Sequence, residues 1–260
     1  PDSVVEACQG ADIVINLTGV LFNTGSQTFD AIHAFGAEAS ASAAKQAGAT
    51  TFIQMSAIGA DAQSGSAYAR SKADGEARAR AQFPGAIIVR PSVVFGPEDD
   101  LFNRFAGMAR FAPALPLVGG GETLFQPVFV GDVADGMCAL ASQHGSHEGK
   151  TFEFGGPENM SFKQIIEFTL ETTARKRMLV PLPFGIAKMM AAVLGLLPKP
   201  LLTMDQVELL KSDNVVSDAA KEEGRTLEGL GISPQGIEAI VPSYLYRYRR
   251  AGQFTKTTNA

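Results

Sequence analysis

Thiols are scarce in this 260-residue chain: Cys8 and Cys138 are the only ones, too few for a disulfide framework, and both suit small packed positions. Long apolar runs are missing too, which removes an ordinary membrane-spanning helix from the expectations. Positive charge is in deficit, with 22 Lys and Arg against 27 Asp and Glu and a net charge of -5. A nucleic-acid backbone calls for clustered positive charge, so no nucleic-acid partner is expected. His33, His144 and His147 lack the companions that zinc requires, so no metal site is expected. What remains is globular composition, 45% hydrophobic and 19% charged, with no repeat and no low-complexity tract.

Apolar runs and helical segments alternate along the first part of the chain. Ser3 and Glu6 stand at capping-box spacing at the head of a first helix, which Gly10 ends. Residues 12–18 read as a strand of the kind buried on both faces. A helix is predicted over 26–47, closed by Gly48, then a strand over 51–56. A helix over 68–82 stops at Pro84-Gly85, and a strand over 86–90 stops at Pro91. Strands alternating with helices predict an α/β fold with a doubly wound parallel sheet.

Beyond Gly96-Pro97 the regularity breaks. Helices are predicted over 99–111 and 132–141, a strand over 151–154, and a helix from 161 to 173 with Ser161 and Gln164 as its capping box. Gly119-Gly120-Gly121 reads as a turn rather than a phosphate cradle, because no helix follows to supply a dipole. The apolar helix predicted over 184–197 is about 21 Å long, short of a bilayer core. A core helix is the first reading of it, and a face pressed on a partner or a lipid interface the second. Helices over 205–211 and 235–250 complete the pattern. The last interleaves Tyr244, Tyr246 and Tyr248 with Arg247, Arg249 and Arg250, a mix that reads as a docking helix. Residues 253–260 read as a polar tail that frays unless held.

Tyr68 and Lys72 carry the chemistry. At i and i+4 on a helix they share a face, and an ammonium beside a phenol favours the phenolate. A tyrosine so placed can move protons during hydride transfer, while the lysine can bond a cofactor ribose. Alone, the spacing is common on solvated helix faces. Its surroundings add weight. The pair follows a strand ending in Met55-Ser56, the next strand ends in Arg90-Pro91-Ser92-Val93, and the first ends in Asn16-Leu17-Thr18-Gly19-Val20. A glycine there lets backbone approach a ligand, and the carboxyl ends of the strands are where open α/β sheets bind ligands. Arg90 at its strand end either steers an anion or, more commonly, pairs with a carboxylate.

On these residues the chain resembles the extended and atypical short-chain dehydrogenase/reductase superfamily. The resemblance implies a Rossmann-like NAD(P)-binding domain over 1–150, lacking its N-terminal strands. It implies a smaller, mostly helical docking or substrate-type domain over 151–260. By that resemblance Leu17, Thr18, Gly19 and Val20 line the ribose and diphosphate, with Met55 and Ser56 among the contacts. Tyr68 and Lys72 face the nicotinamide ribose, and Pro91, Ser92 and Val93 the carboxamide. A narrower series is similar to the accessory subunit of respiratory complex I that has this fold. It runs through Phe95-Gly96-Pro97-Glu98-Asp99, Phe102-Asn103-Arg104-Phe105-Ala106, Met108, Arg110-Phe111, residues 126–130, Asp132-Val133, and the segments 205–208 and 227–232. That likeness implies NADPH held structurally, with Tyr68 and Lys72 vestigial as catalytic residues. It implies other subunits of the quinone-reducing peripheral arm as partners, and contact near the membrane interface. The expected place is peripheral, on the cytoplasmic face of a bacterial inner membrane or the matrix side of a mitochondrial one.

Two departures qualify the resemblance. The Gly-rich dinucleotide loop is absent, and a first strand-helix-strand unit of about thirty residues has no room before Asp12. The chain is therefore expected to be a fragment, with cofactor binding weak or lost. Ala57 stands where active members of the family carry Ser or Thr, and strand alternation aims Ser56 at the opposite face. The alternative is a working oxidoreductase, epimerase or dehydratase acting on a small carbonyl or a sugar nucleotide.

Overall fold

Local stop signals divide the chain as expected in its first part. The computed structural model describes residues 2–195, 200 and 202–250; the expected polar tail 253–260 and the end of the apolar segment 184–197 lie outside them. Helix α1 (Asp2–Cys8) turns at Gly10, φ +74°, into strand β1 (Ile13–Asn16). A π-helix, Asp30–Phe35, runs on into α2 (Gly36–Gln46), and Gly48 at φ +77° ends it. Strand β2 (Thr51–Met55), helix α3 (Ala67–Gln82) and strand β3 (Ile87–Pro91) follow. Then come β4 (Val94–Phe95), α4 (Phe102–Phe111), β5 (Ala114–Val118), β6 (Leu124–Phe125), β7 (Val128–Phe129), α5 (Val130–Ser142) and β8 (Thr151–Phe154). The last stretch holds β9 (Met160–Ser161), α6 (Phe162–Thr172), β10 (Met178–Leu182), α7 (Phe184–Leu194), α8 (Met204–Leu209), α9 (Asp218–Glu222), α10 (Ile237–Ile240) and α11 (Pro242–Leu245).

The central sheet is parallel, in the order β1-β2-β3-β8. On one face, Ala37, Ala41 and Ala44 of α2 and Ala79 of α3 let those helices settle closely over Phe52. On the other, Val133, Met137 and Leu140 of α5 pack on Ile53, Ile87, Val89, Phe152 and Phe154. Each large side chain buried this way contributes about 1.5–3 kcal/mol, which fixes the two-sided, Rossmann-like arrangement.

β1 departs from the expectation of burial on both faces. It is hydrogen-bonded to β2 on one side, and Val14 packs under α2. Ile13 and Ile15 point to the other face, beyond the reach of α5, and each is 39% exposed. Strand β8 begins immediately after the expected boundary at 150, and it pairs with β3 in the central sheet. The C-terminal lobe interleaves two stretches of chain: β10 pairs with β5, and α4 packs on α6.

Two further expectations are corrected. Segment 235–250 is not one docking helix: α10 and α11 are short, with Pro242 at the start of α11, and a 3-10 turn follows at Tyr246–Tyr248. Three of its side chains bond within the chain itself. Tyr244 Oη donates to Asp99 Oδ2 at 2.5 Å, Arg247 donates to Asn103 Oδ1 and Arg249 to the Thr172 carbonyl. Helix α7 is not a core helix. Only Ala187 and Ala191 are buried on it, while Ile186, Met189, Met190 and Val193 face solvent. Among the described residues no helix is long and apolar enough to cross a membrane.

Candidate functional site

Helix α3 is placed by its start and by one glycine. Ser66 caps it, accepting from the Ala69 N–H at 3.1 Å. At Gly75 it crosses the π-helix so closely that a Cβ there would lie 2.2 Å from the His33 carbonyl oxygen. The crossing sets Tyr68 and Lys72 side by side, with Lys72 Nζ 5.8 Å from the Tyr68 ring centroid. Lys72 is 6% exposed. Gly19 stands opposite: a Cβ on it would meet Nζ at 3.3 Å and His33 Nε2 at 3.7 Å. No oxygen among the described residues is hydrogen-bonded to this ammonium. It faces a gap that the missing side chain of Gly19 keeps open.

His33 joins the loop after β1 to α3. The Val20 N–H donates to Nε2 at 3.0 Å, so the ring proton resides on Nδ1, which lies 2.8 Å from Ser71 Oγ. Ser71 in turn donates to the Tyr68 carbonyl at 2.7 Å. Phe29 stacks on the imidazole and meets Tyr68 edge-on. Burial first, and the Lys72 charge second, push the His33 pKa down to about 4, so the ring is neutral. Burial also lowers Lys72 to about 8, against the pull of Glu76.

Tyr68 reverses the sequence expectation. Burial of the phenol, with Asp205 adding its negative charge, pushes the pKa up to about 12, and the nearby ammonium does not offset them. Tyr68 is a neutral phenol at physiological pH.

The strand ends are occupied differently from what the sequence suggested. Asn16 Nδ2 donates to Gln54 Oε1 at 2.9 Å while its Oδ1 accepts from the Thr18 N–H, which shapes the turn before Gly19. Leu17 and Thr18 are exposed, and Met55 is half-buried. Ser56 donates its hydroxyl to Glu76 Oε1 at 2.5 Å, and Arg90 closes a bidentate pair with Glu76 at 2.8 and 2.7 Å. Arg90 thus pairs with a carboxylate. Ser92 Oγ lies 2.8 Å from both the carbonyl and Oδ1 of Asn214, in the C-terminal lobe. The Pro91 carbonyl accepts from Ile58 N–H and that of Val93 from Val128 N–H. The hydroxyls of Ser56 and Ser92 are therefore committed within the protein, and Ala57 has none. Gly19, Val20, Tyr68 and Lys72 come together, while Pro91, Ser92 and Val93 are tied into the strands and the C-terminal lobe.

Sequence reasoning missed His33 and Asp205. The only local signal for His33 was its place on the helix that follows the Gly19 loop. Asp205 stood in the segment 205–208 of the narrower resemblance, with nothing local to tie it to Tyr68, which it reaches from 137 residues away. A cavity of about 710 Å³ lies apart from this cluster, lined by Leu117, Lys163, Leu170, Arg175, Arg177 and Leu179 among others.

The chain is similar to NADH dehydrogenase (ubiquinone) 1 alpha subcomplex subunit 9 of Arabidopsis thaliana mitochondria, 34% identical over 96% of this chain and 64% of that protein. It is 36% identical to the subunit of the same name from Mus musculus, over 95% of this chain and 65% of that protein. The chain thus spans less than two thirds of the length of these relatives. A dTDP-glucose 4,6-dehydratase from Streptomyces venezuelae, solved with NAD and TYD bound, superposes with a TM-score of 0.67 at 16% identity. That match covers 95% of this chain and 76% of the other, and shows the shared fold. Residues 1–155 match the family model described as NAD dependent epimerase/dehydratase, and the chain belongs to that family.

Proposed function

We propose that this chain acts as an accessory subunit of respiratory complex I and holds NADPH as a structural ligand rather than turning it over. The observation that carries this reading is the state of the site. The hydroxyl that would polarise a substrate carbonyl is missing, because Ala57 has none and Ser56 gives its own to Glu76, and burial with the Asp205 charge opposes a Tyr68 phenolate. The relatives named as complex I subunits support the same assignment.

The residues fit the nicotinamide-ribose half of a dinucleotide. Lys72 is a buried side chain whose ammonium has no acceptor among the described residues and faces a gap kept open by Gly19, as a ribose hydroxyl requires. Gly19 brings backbone beside it, in the loop that Leu17, Thr18 and Val20 complete, and Met55 lies at the end of the neighbouring strand. A bound nicotinamide would bring hydride-transfer chemistry. Here Tyr68 keeps its proton and Lys72 orients the ribose, so the ligand works by stabilising the folded state. At a hundredfold excess over its Kd a ligand adds about 2.7 kcal/mol. NADPH as the particular dinucleotide follows the likeness to the accessory subunit.

The exposed apolar face of α7 supplies a docking surface for other subunits of the quinone-reducing arm. The corresponding place is peripheral on the inner membrane, cytoplasmic in a bacterium and matrix-side in a mitochondrion. The test is to denature the protein purified from its source and analyse the supernatant. NADPH is expected, together with co-purification of quinone-module subunits; finding neither removes the reading. The pairing of Tyr68 with Lys72 favours a second reading, an oxidoreductase or epimerase acting on a small carbonyl or a sugar nucleotide. That reading requires Tyr68→Phe to abolish a turnover measurable in the purified protein.

A further inference from the structure

The C-terminal lobe reaches the site through α8. That helix is capped by its own Thr203 and Gln206, so Asp205 in its first turn is not needed as a cap there. Its carboxylate points instead at the start of α3. Oδ1 accepts from the Ala67 N–H at 2.6 Å, and Oδ2 accepts from the Ser66 hydroxyl at 2.8 Å and the Tyr68 N–H at 3.2 Å. The first turn of α3 thus has its free N–H groups answered by a full negative charge, where the helix dipole favours one. Among the described residues no cation pairs with Asp205. α8 is steadied from its other end by Glu208, which pairs with Lys188 of α7 at 2.8 Å and with Lys211 at 2.9 Å.

We propose that Asp205 is a positioning residue of the nucleotide site, through which the docked C-terminal lobe fixes where Tyr68 and Lys72 stand. The groups facing Tyr68 divide cleanly. Lys72, at 5.8 Å from the ring, favours the phenolate; His33 and Phe29 press on it as neutral rings; Asp205 opposes ionisation. A lobe that lifts away leaves Ser66 in place as the cap and takes with it the carboxylate that answers the Ala67 and Tyr68 N–H groups and opposes the phenolate. The inference deepens the nucleotide reading, and depends on it only for the effect on ligand affinity.

The chain has four tyrosines and no tryptophan, so tyrosinate absorbance is read free of indole. Stopped-flow pH jumps record it before alkaline unfolding, and subtraction of Tyr68→Phe isolates Tyr68. Asp205→Asn is expected to give a several-fold larger share of Tyr68 phenolate at any pH below the midpoint, burial being the larger cause of the raised pKa. Asp205→Glu, which keeps the charge, is expected to restore the wild-type curve. NADPH affinity should fall with Asp205→Asn and return with Asp205→Glu. Asp205→Ser keeps a capping oxygen without the charge and is read in the same way should the asparagine variant fold poorly. A Tyr68 curve that overlays the wild type in both uncharged variants, with only the melting temperature lowered, would overturn the proposal. The titration needs no nucleotide. A shifted curve in a protein that carries no dinucleotide therefore removes the nucleotide reading and leaves the role of Asp205 in place.

Discussion

Lys72 shows most directly how a single residue favours binding over stability. Its side chain is buried beside Gly19, its ammonium has no hydrogen-bond acceptor among the described residues, and burial lowers its pKa from 10.5 to about 8. Between those values the unfolded chain holds a proton that the native lysine has released. The ligand-free protein therefore gains stability as pH rises from about 8 to 10.5. Lys72→Met removes the buried charge. It is expected to stabilise the ligand-free protein at pH 7 by roughly 1–3 kcal/mol and to flatten that alkaline rise. The same variant should lose NADPH retention. Thermal melts across pH 7–10, with and without added NADPH, check both halves. A less stable ligand-free variant would mean that the ammonium has a partner within the fold.

At the scale of elements, the site depends on how closely α3 approaches the π-helix. Gly75 permits the crossing, since a Cβ there would fall 2.2 Å from a backbone carbonyl that cannot rotate away. Gly75→Ala should force the two helices apart at a cost of about 1–3 kcal/mol and carry His33 off the Val20 N–H. Gly145→Ala, with nothing within 4 Å of its new methyl, is the control. Equal melting temperatures for the two variants would show that the crossing tolerates a side chain. This contact also marks how far the sequence could be read. Helix α3 was legible because its breaker, Pro84-Gly85, is local; the nearness of Tyr68 to Lys72 was legible because residues four apart share a helix face, and Gly19 because it follows a strand end. His33 was not, because a π-register leaves no signature in hydrophobic spacing, and the bond from Val20 is made by folding. The phenol's proton affinity was misread for a related reason: local spacing brings in Lys72, whereas burial and Asp205 come from tertiary packing.

Across the whole molecule, the misread segments share one cause, that coverage of an apolar face is a tertiary fact. β1 carries the same run of apolar residues whether or not a helix lies over Ile13 and Ile15. The Tyr-Arg segment looked like a single docking helix, and Tyr244, Arg247 and Arg249 instead bond to Asp99 ahead of α4, to Asn103 in α4 and to the end of α6. In α7 both faces are apolar, so composition could not say that Ala187 and Ala191 face inward while Met189 and Val193 are 68% and 69% exposed. That exposure permits a clean test of assembly. Met189→Glu with Val193→Glu places charges where only water is displaced, so the melting temperature of the isolated protein should stay within the range of ordinary surface changes, about 0.5 kcal/mol. Desolvating two carboxylates against a partner's apolar surface is costly, so the double variant should no longer co-purify with the quinone-reducing module while it still releases NADPH on denaturation. Unchanged co-purification would move the docking surface off α7, and a coupled loss of NADPH would mean that the helix supports the nucleotide site rather than a partner.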